Sequence, residues 1–233
     1  MDYPSPDIIE ILGDVGFDFV YYDCEHGPMN EEACQTMIRT AELVGLTPMV
    51  RVPTNEPWHI LRALDSGAMG IIIPHCNTKE DAFKAVKASK YPPEGERGIA
   101  GRSIRISGMR PAQYIVEANK ETMVIAMIEE AQALENLSEI LSVDGLDVVW
   151  IGRGDLSLSL GVPGQFNDPR VQAAVHRVIA EARAAGKYVG VGAIDVGDPA
   201  SVKQFAGLGA QFFSVNSANL LKIAARAWLE KAR

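Results

Sequence analysis

Four groups of residues carry side chains that could do chemistry together: Asp23-Cys24-Glu25-His26, Arg51, Glu129 and Asp155. Each stands at or just past the end of an apolar run that reads as a β-strand. A carboxylate beside an imidazole fixes its tautomer and tunes its proton affinity, so His26, with Asp23 as its partner, reads as a proton-transfer group. Arg51 ends the run Pro48-Met49-Val50 and offers a permanent fork of donors. That fork suits a carboxylate or a developing oxyanion, or else an ion pair with an acid such as Asp65. Glu129 and Asp155 end two neighbouring strands 26 residues apart. Two carboxylates brought together repel unless a cation joins them, and Mg²⁺ or Mn²⁺ held by only two keeps positions open for water and substrate oxygens. The plainer alternative is that Glu129 starts a helix and Asp155 caps a turn, where acids are favourable anyway. A zinc site built from Cys24, His26, His75 and Cys76 lacks the separated CxxC or HxxxH spacing of such sites.

These residues need a scaffold that gathers strand ends. Helix-like segments close on Gly16, Gly45, Gly67, Gly145, Gly186 and Gly209, each leading within a few residues into an apolar strand. Strands are expected at Phe17 to Tyr22, Thr47 to Val52, Met69 to Ile73, Met123 to Ile128, Leu146 to Ile151, Tyr188 to Ile194 and Gln211 to Val215. Their Val/Ile/Phe-rich runs suit parallel strands covered on both faces. The fold expected is α/β, a TIM (β/α)8 barrel in which the C-terminal strand ends form one rim and the reactive residues meet. Seven strands are visible, and Ser5-Pro6-Asp7 already signals the first helix, with Ser5 as N-cap and Pro6 at the first helical position. The first barrel strand is therefore expected to be absent from this chain.

Composition bounds the rest. The 233 residues, 47% hydrophobic, suit one α/β domain over 1–233, an ordinary size for a single barrel. A net charge of −8 without a Lys/Arg-rich run argues against nucleic acid or an anionic membrane as partner and leaves a small molecule. Three cysteines without paired spacing suit a reducing compartment, with cytoplasmic localisation expected. The N-terminus lacks the pattern of a signal peptide, and no apolar run approaches the roughly 18 residues of a membrane span. Two segments break the βα repeat. Tyr91 to Met109 is Gly/Pro-rich and basic, expected as a lid, a subunit contact or a surface excursion, and a short helix follows from Pro111 to Asn119. Gly152 to Ser157 reads as a glycine-bearing turn whose backbone N–H groups could face an anion.

The joint pattern resembles the HpcH/HpaI family of metal-dependent class II pyruvate aldolases, within the phosphoenolpyruvate/pyruvate barrel superfamily. It rests on Gly16-Phe17-Asp18 leading into Asp23 to Pro28, then Val50-Arg51-Val52-Pro53, Leu64 to Ala68, Tyr91-Pro92-Pro93 with Arg97-Gly98, Ile128-Glu129, Ile151-Gly152 with Asp155-Leu156-Ser157, and Leu160-Gly161. The resemblance implies that Glu129 and Asp155 hold a divalent cation, Mg²⁺ or Mn²⁺ with Co²⁺ as a further candidate, and that a 2-oxo acid chelates it. It implies that backbone amides at Gly154 and Asp155 seat the substrate carboxylate. His26, oriented by Asp23 and linked to Asp65, would manage the proton at C3, while Arg51 would stabilise the enolate oxygen.

The function implied is reversible addition of pyruvate, or a close 2-oxo acid such as hydroxypyruvate, to an aldehyde. A lyase for a citramalyl-CoA type thioester, an oxaloacetate-type decarboxylase and a non-catalytic acid-binding barrel are the alternatives. Family members are oligomers whose last helix packs on a neighbour, so a homo-oligomer, a hexamer by resemblance, is expected, and the apolar segment Leu220 to Trp228 is compatible with it. Met127, Arg153, His75-Cys76 and Asn216-Ser217-Ala218 depart from the family pattern and bear on substrate choice.

Overall fold

The computed structural model describes residues 1 and 3–233. Among these, seven parallel strands follow one another across a sheet in chain order. The chain divides into two compact units: the first takes Met1–Pro74, Glu80–Ala126 and Val143–Asp147, and the second His75–Lys79, Met127–Ser142 and Val148–Arg233.

The first unit opens with α1 (Pro6–Asp14), then β1 (Phe19–Asp23), α2 (Glu31–Leu43), β2 (Thr47–Arg51), α3 (Pro57–Ser66) and β3 (Gly70–Ile73). Ser5 caps α1 as expected, accepting the Ile8 N–H at 3.4 Å with Pro6 in the first turn. Gly67 closes α3 in the left-handed conformation that the glycine punctuation predicts. After α4 (Lys79–Ser89) come α5 (Gly101–Ile106), α6 (Pro111–Glu121) and β4 (Met123–Ile128), whose first four residues complete this unit's sheet beside β3. β1 and β2 pair in register from Phe19↔Thr47 to Asp23↔Arg51, so their last residues lie side by side. Ile71, Ile72 and Ile73 are buried, as a strand covered on both faces requires.

The second unit holds the end of β4, then α7 (Ala131–Glu135), α8 (Leu137–Leu141), β5 (Val148–Ile151), α9 (Arg153–Ser159), α10 (Pro169–Ala184), β6 (Tyr188–Val191), α11 (Ala200–Leu208), β7 (Phe212–Phe213) and α12 (Ser217–Ala232). β5 is buried throughout, and Val171, Val175, Val178 and Ile179 of α10 bury one stripe of that helix.

Several expectations need correction. β1 runs from Phe19 to Asp23, so Asp23 belongs to the hydrogen-bonded ladder and not to a loop beyond it, while β2 holds Arg51 as expected and stops one residue before Val52. β6 stops at Val191, two residues before Ala193 takes a positive φ of 52° and turns the chain, and β7 keeps only Phe212 and Phe213. The glycine-bearing segment after β5 is the first turn of helix α9. Tyr91 to Met109 contains a helix, α5, and is pinned to the unit by ion pairs of Arg97 and Arg102. At the start of the described chain, the Met1 amino group donates to the Tyr21 carbonyl at 2.6 Å, and the Met1 carbonyl accepts the Asp23 N–H at 3.2 Å.

Candidate active site

In the first unit the in-register ends of β1 and β2 bring Asp23 and Arg51 together. Arg51 Nε donates to Asp23 Oδ1 at 3.0 Å, Nη2 to Asp23 Oδ2, and Nη1 lies 3.0 Å from Glu25 Oε2. The bidentate fork and the burial of Arg51, 8% exposed, make this a rigid, charge-assisted cluster. Burial pushes the Asp23 carboxyl up. The Arg51 hydrogen bond and charge, with two backbone N–H donors, outweigh that and hold it below the usual carboxylate range. Burial likewise disfavours the Arg51 cation, and Asp23 and Glu25 more than restore it. The acid that meets Arg51 is therefore not Asp65, the partner weighed from sequence, but Asp23 together with Glu25.

His26 stands differently from the expected pairing. Asp23 Oδ1 accepts the backbone N–H groups of Glu25 and His26, both at 3.1 Å, and so shapes the turn that carries the imidazole. The ring's nearest carboxylate is Glu25, with Nε2 3.8 Å from Oε2, and the His26 side chain is 65% exposed. Asp23 thus orients His26 through the backbone, and Glu25 faces both the ring and Arg51.

Asp65, expected to link to His26, lies near the end of α3 and accepts Arg97 Nη2 at 3.0 Å. Burial lifts its carboxyl above the usual range, only partly countered by Arg97. Gly101, at φ +88°, runs so close that a Cβ there would sit 2.6 Å from Asp65 Cγ. Arg97 lies with its guanidinium 4.5 Å over the Tyr91 ring. Asp65 therefore anchors the Tyr91-to-Met109 segment.

In the second unit Glu129 follows β4 and is 1% exposed. Its Oε1 accepts the His75 N–H at 2.8 Å, while the His75 ring turns to Glu130, Nδ1 to Oε1 at 2.6 Å. Its Oε2 lies against Gly152, where a Cβ would come within 2.6 Å of it. Gly152 is thus the cradle that admits the carboxylate at the foot of α9. Two hydrogen bonds fix this approach: Gly152 N–H to the Ile128 carbonyl at 3.2 Å and Ala131 N–H to Ser159 Oγ at 2.9 Å. Asp155 is the third residue of α9, half-buried, and Gly154 and Asp155 carry N–H groups of the first turn, which have no acceptor within the helix. Buried Ser157 clamps the turn, donating to the Gly154 carbonyl at 2.7 Å and accepting the Gly164 N–H at 2.9 Å.

Glu129 in its glycine cradle and Asp155 in the first turn of α9 are both carboxylates, hard oxygen donors of the kind a divalent cation takes. The soft residues go elsewhere: Cys24 Sγ meets Cys34 Sγ at 3.2 Å, and His75 meets Glu130. Sequence reasoning missed the roles of Glu25, Gly152 and Cys34. Glu25 was legible only as part of the Asp23-to-Pro28 string, and Gly152 only as a turn glycine; no spacing rule joins Cys24 to Cys34.

Likeness to known proteins identifies the family. The model of the family described as HpcH/HpaI aldolase/citrate lyase matches residues 3–222. A 4-hydroxy-2-oxo-heptane-1,7-dioate aldolase of Salmonella dublin is 38% identical over 207 residues, 88% of this chain and 78% of its own. An HpcH/HpaI aldolase/citrate lyase family protein of Burkholderia cenocepacia superposes with a TM-score of 0.92 at 33% identity, covering 100% of this chain and 92% of that one. The citrate synthase SbnG does so with a TM-score of 0.89 at 32% identity, covering 99% and 90%. The chain therefore belongs to the HpcH/HpaI aldolase/citrate lyase family and is a lyase.

Proposed function

We propose that residues 1–233 act as one divalent-metal-dependent aldolase domain, a (β/α)8-type barrel, that removes a proton from C3 of pyruvate or a close 2-oxo acid such as hydroxypyruvate and joins that carbon reversibly to an aldehyde. The observation that carries this reading is the glycine cradle holding Glu129 at the foot of the helix that bears Asp155. Glu129 and Asp155 hold Mg²⁺, Mn²⁺ or Co²⁺, which when bound supplies Lewis acidity toward the 2-oxo acid's oxygens. The N–H groups of Gly154 and Asp155 seat the substrate carboxylate. His26 takes and returns the proton at C3, on a turn shaped by Asp23. Arg51, fixed by Asp23 and Glu25, supplies the cation for the charge that develops on the keto oxygen. Asp65 supports the site at one remove, through Arg97.

A homo-oligomer, a hexamer by family resemblance, is part of the proposal. Support comes from α12, where Leu221, Ile223, Trp228 and Leu229 are exposed. Three cysteines outside any disulfide support a reducing, cytoplasmic setting, and among the described residues no helix is long and apolar enough to cross a membrane. A second reading, cleavage of a citramalyl-CoA type thioester or decarboxylation of oxaloacetate, draws on the likeness to SbnG, a citrate synthase. It is favoured if those substrates turn over faster than any aldol.

The test is proton NMR of pyruvate in D₂O with purified protein. Loss of the methyl signal that needs Mg²⁺ or Mn²⁺ and stops with chelator is expected. A folded, metal-loaded protein that exchanges neither pyruvate nor hydroxypyruvate refutes the reading.

A further inference from the structure

Cys24 and Cys34 take no part in the chemistry proposed above, yet their sulfurs lie 3.2 Å apart. Cys24 directly follows β1, and its N–H donates to the Arg51 carbonyl at 3.0 Å. Cys34 lies in the first turns of α2, its N–H on the carbonyl of Asn30, the residue that caps that helix. Both are free thiols, and both line one cavity of about 230 Å³ together with Met29, Val50, Pro53 and Ala63. A small oxidant in that cavity reaches either sulfur. The third cysteine, Cys76, is 0% exposed and lies outside the lining.

We infer that Cys24 and Cys34 form an oxidisable dithiol that takes a hydroperoxide as oxidant, closes to a disulfide, and thereby slows the enzyme. Cys34 sulfur, as thiolate, attacks a peroxide oxygen; the O–O bond breaks, hydroxide leaves and takes up the thiol's proton as water, and Cys34 becomes a sulfenic acid. Cys24 sulfur then attacks Cys34 sulfur, the S–O bond breaks, and a second water leaves with the Cys24 proton. Two thiols lose two electrons, and one hydrogen peroxide is reduced to two waters; a dithiol reductant reverses the change. The hydrogen bond from Cys24 pulls the Cys34 thiol down, which suits Cys34 as the attacking sulfur.

Closing the sulfurs from 3.2 Å to the bonded distance of about 2.05 Å draws Cys24 toward α2. Cys24 stands between Asp23 and Glu25, the two acids that hold Arg51, so the closure pulls on both. Misplacement of about 1 Å costs about 10²-fold in rate when it reaches reacting groups.

The experiment treats the reduced, desalted protein with hydrogen peroxide and follows thiols and rate together. Expected are a fall from three titratable thiols to one in denaturant, a peptide cross-link joining Cys24 to Cys34, and its reversal by dithiothreitol. Pyruvate exchange is expected to drop about tenfold or more in the oxidised protein. C34S is expected to form no cross-link and to keep its rate through the same treatment. A titre that stays at three, or a cross-link through Cys76 or between two chains, overturns the dithiol assignment. A Cys24–Cys34 cross-link with an unchanged exchange rate overturns the coupling to activity. The activity readout rests on the aldolase reading: a protein that cross-links but exchanges pyruvate in neither redox state sinks that reading and leaves the dithiol standing.

Discussion

Gly152→Ala is the sharpest probe of the cradle, because the added methyl group presses hardest on Glu129. Gly152 has φ −85°, so alanine brings no left-handed strain. Its Cβ would come 2.6 Å from Glu129 Oε2, 2.9 Å from Glu129 Cβ and 3.2 Å from Met127 Cε, where ordinary contact starts at 3.4 Å. Glu129 must therefore retreat by about 0.8 Å, or the β5–α9 junction must move by as much. Overpacking of this kind costs about 1–3 kcal/mol of stability. On the proposed role of Glu129 as a metal ligand, this shift costs about 10- to 100-fold in metal affinity. Gly207→Ala, in α11 with nothing within 4 Å of its added Cβ, is the matched control. Isothermal titration with Mn²⁺, pyruvate exchange and urea unfolding would be read on both proteins. The expected pattern is weaker Mn²⁺ binding and slower exchange in G152A alone, with a lower urea midpoint. G152A with the control's Mn²⁺ affinity and exchange rate would falsify the cradle argument.

Other perturbations follow from the ion pairs. Arg51→Ala leaves the carboxylates of Asp23 and Glu25 without their guanidinium, side chains only 6% and 10% exposed. A loss of about 3–5 kcal/mol is expected in urea unfolding, and an unshifted midpoint contradicts it. Asp23, held below its usual range in the fold, contributes stability that is present above the unfolded value of about 3.9 and is lost as pH falls through its folded value. Asp65, held above its usual range, has the opposite sign: its contribution is full below the unfolded value and is lost as pH rises through the folded one. Urea midpoints between pH 6 and pH 2 should therefore fall less steeply in D23N and more steeply in D65N, and parallel profiles refute the assignment. D65N also strips Arg97, whose side chain is 2% exposed, of its carboxylate, at about 1.5–3 kcal/mol. If Asp65 acts only through Arg97, the pH profile of pyruvate exchange keeps its shape; a displaced profile restores Asp65 as a partner of His26.

Much of the fold is legible in the residue string. The cap at Ser5, the helix-closing glycines and the apolar runs locate seven strands, because each depends on neighbours within one or two turns. The strands' last residues are less legible, since hydrogen bonds to the adjacent strand decide them: Asp23, beyond the expected end at Tyr22, falls inside the ladder because β1 and β2 pair in register. The helix after Gly152 was read as a turn because two glycines within three residues suppress the helical signal, while the clamp by Ser157 comes from a side chain and a distant N–H.

Which residues could do chemistry is read from the sequence alone, since Asp23, His26, Arg51, Glu129 and Asp155 are side chains of definite chemistry at or near the ends of apolar runs. Who meets whom was decided by the tertiary structure. Arg51 pairs with Asp23 and Glu25, Asp65 with Arg97, and Cys24 with Cys34, across separations of 28, 32 and 10 residues for the pairs Arg51–Asp23, Arg97–Asp65 and Cys24–Cys34. Charge and hydrogen-bonding capacity are properties of a residue, but a partner is a property of distance, and distance is set by strand register, helix packing and the room a glycine leaves.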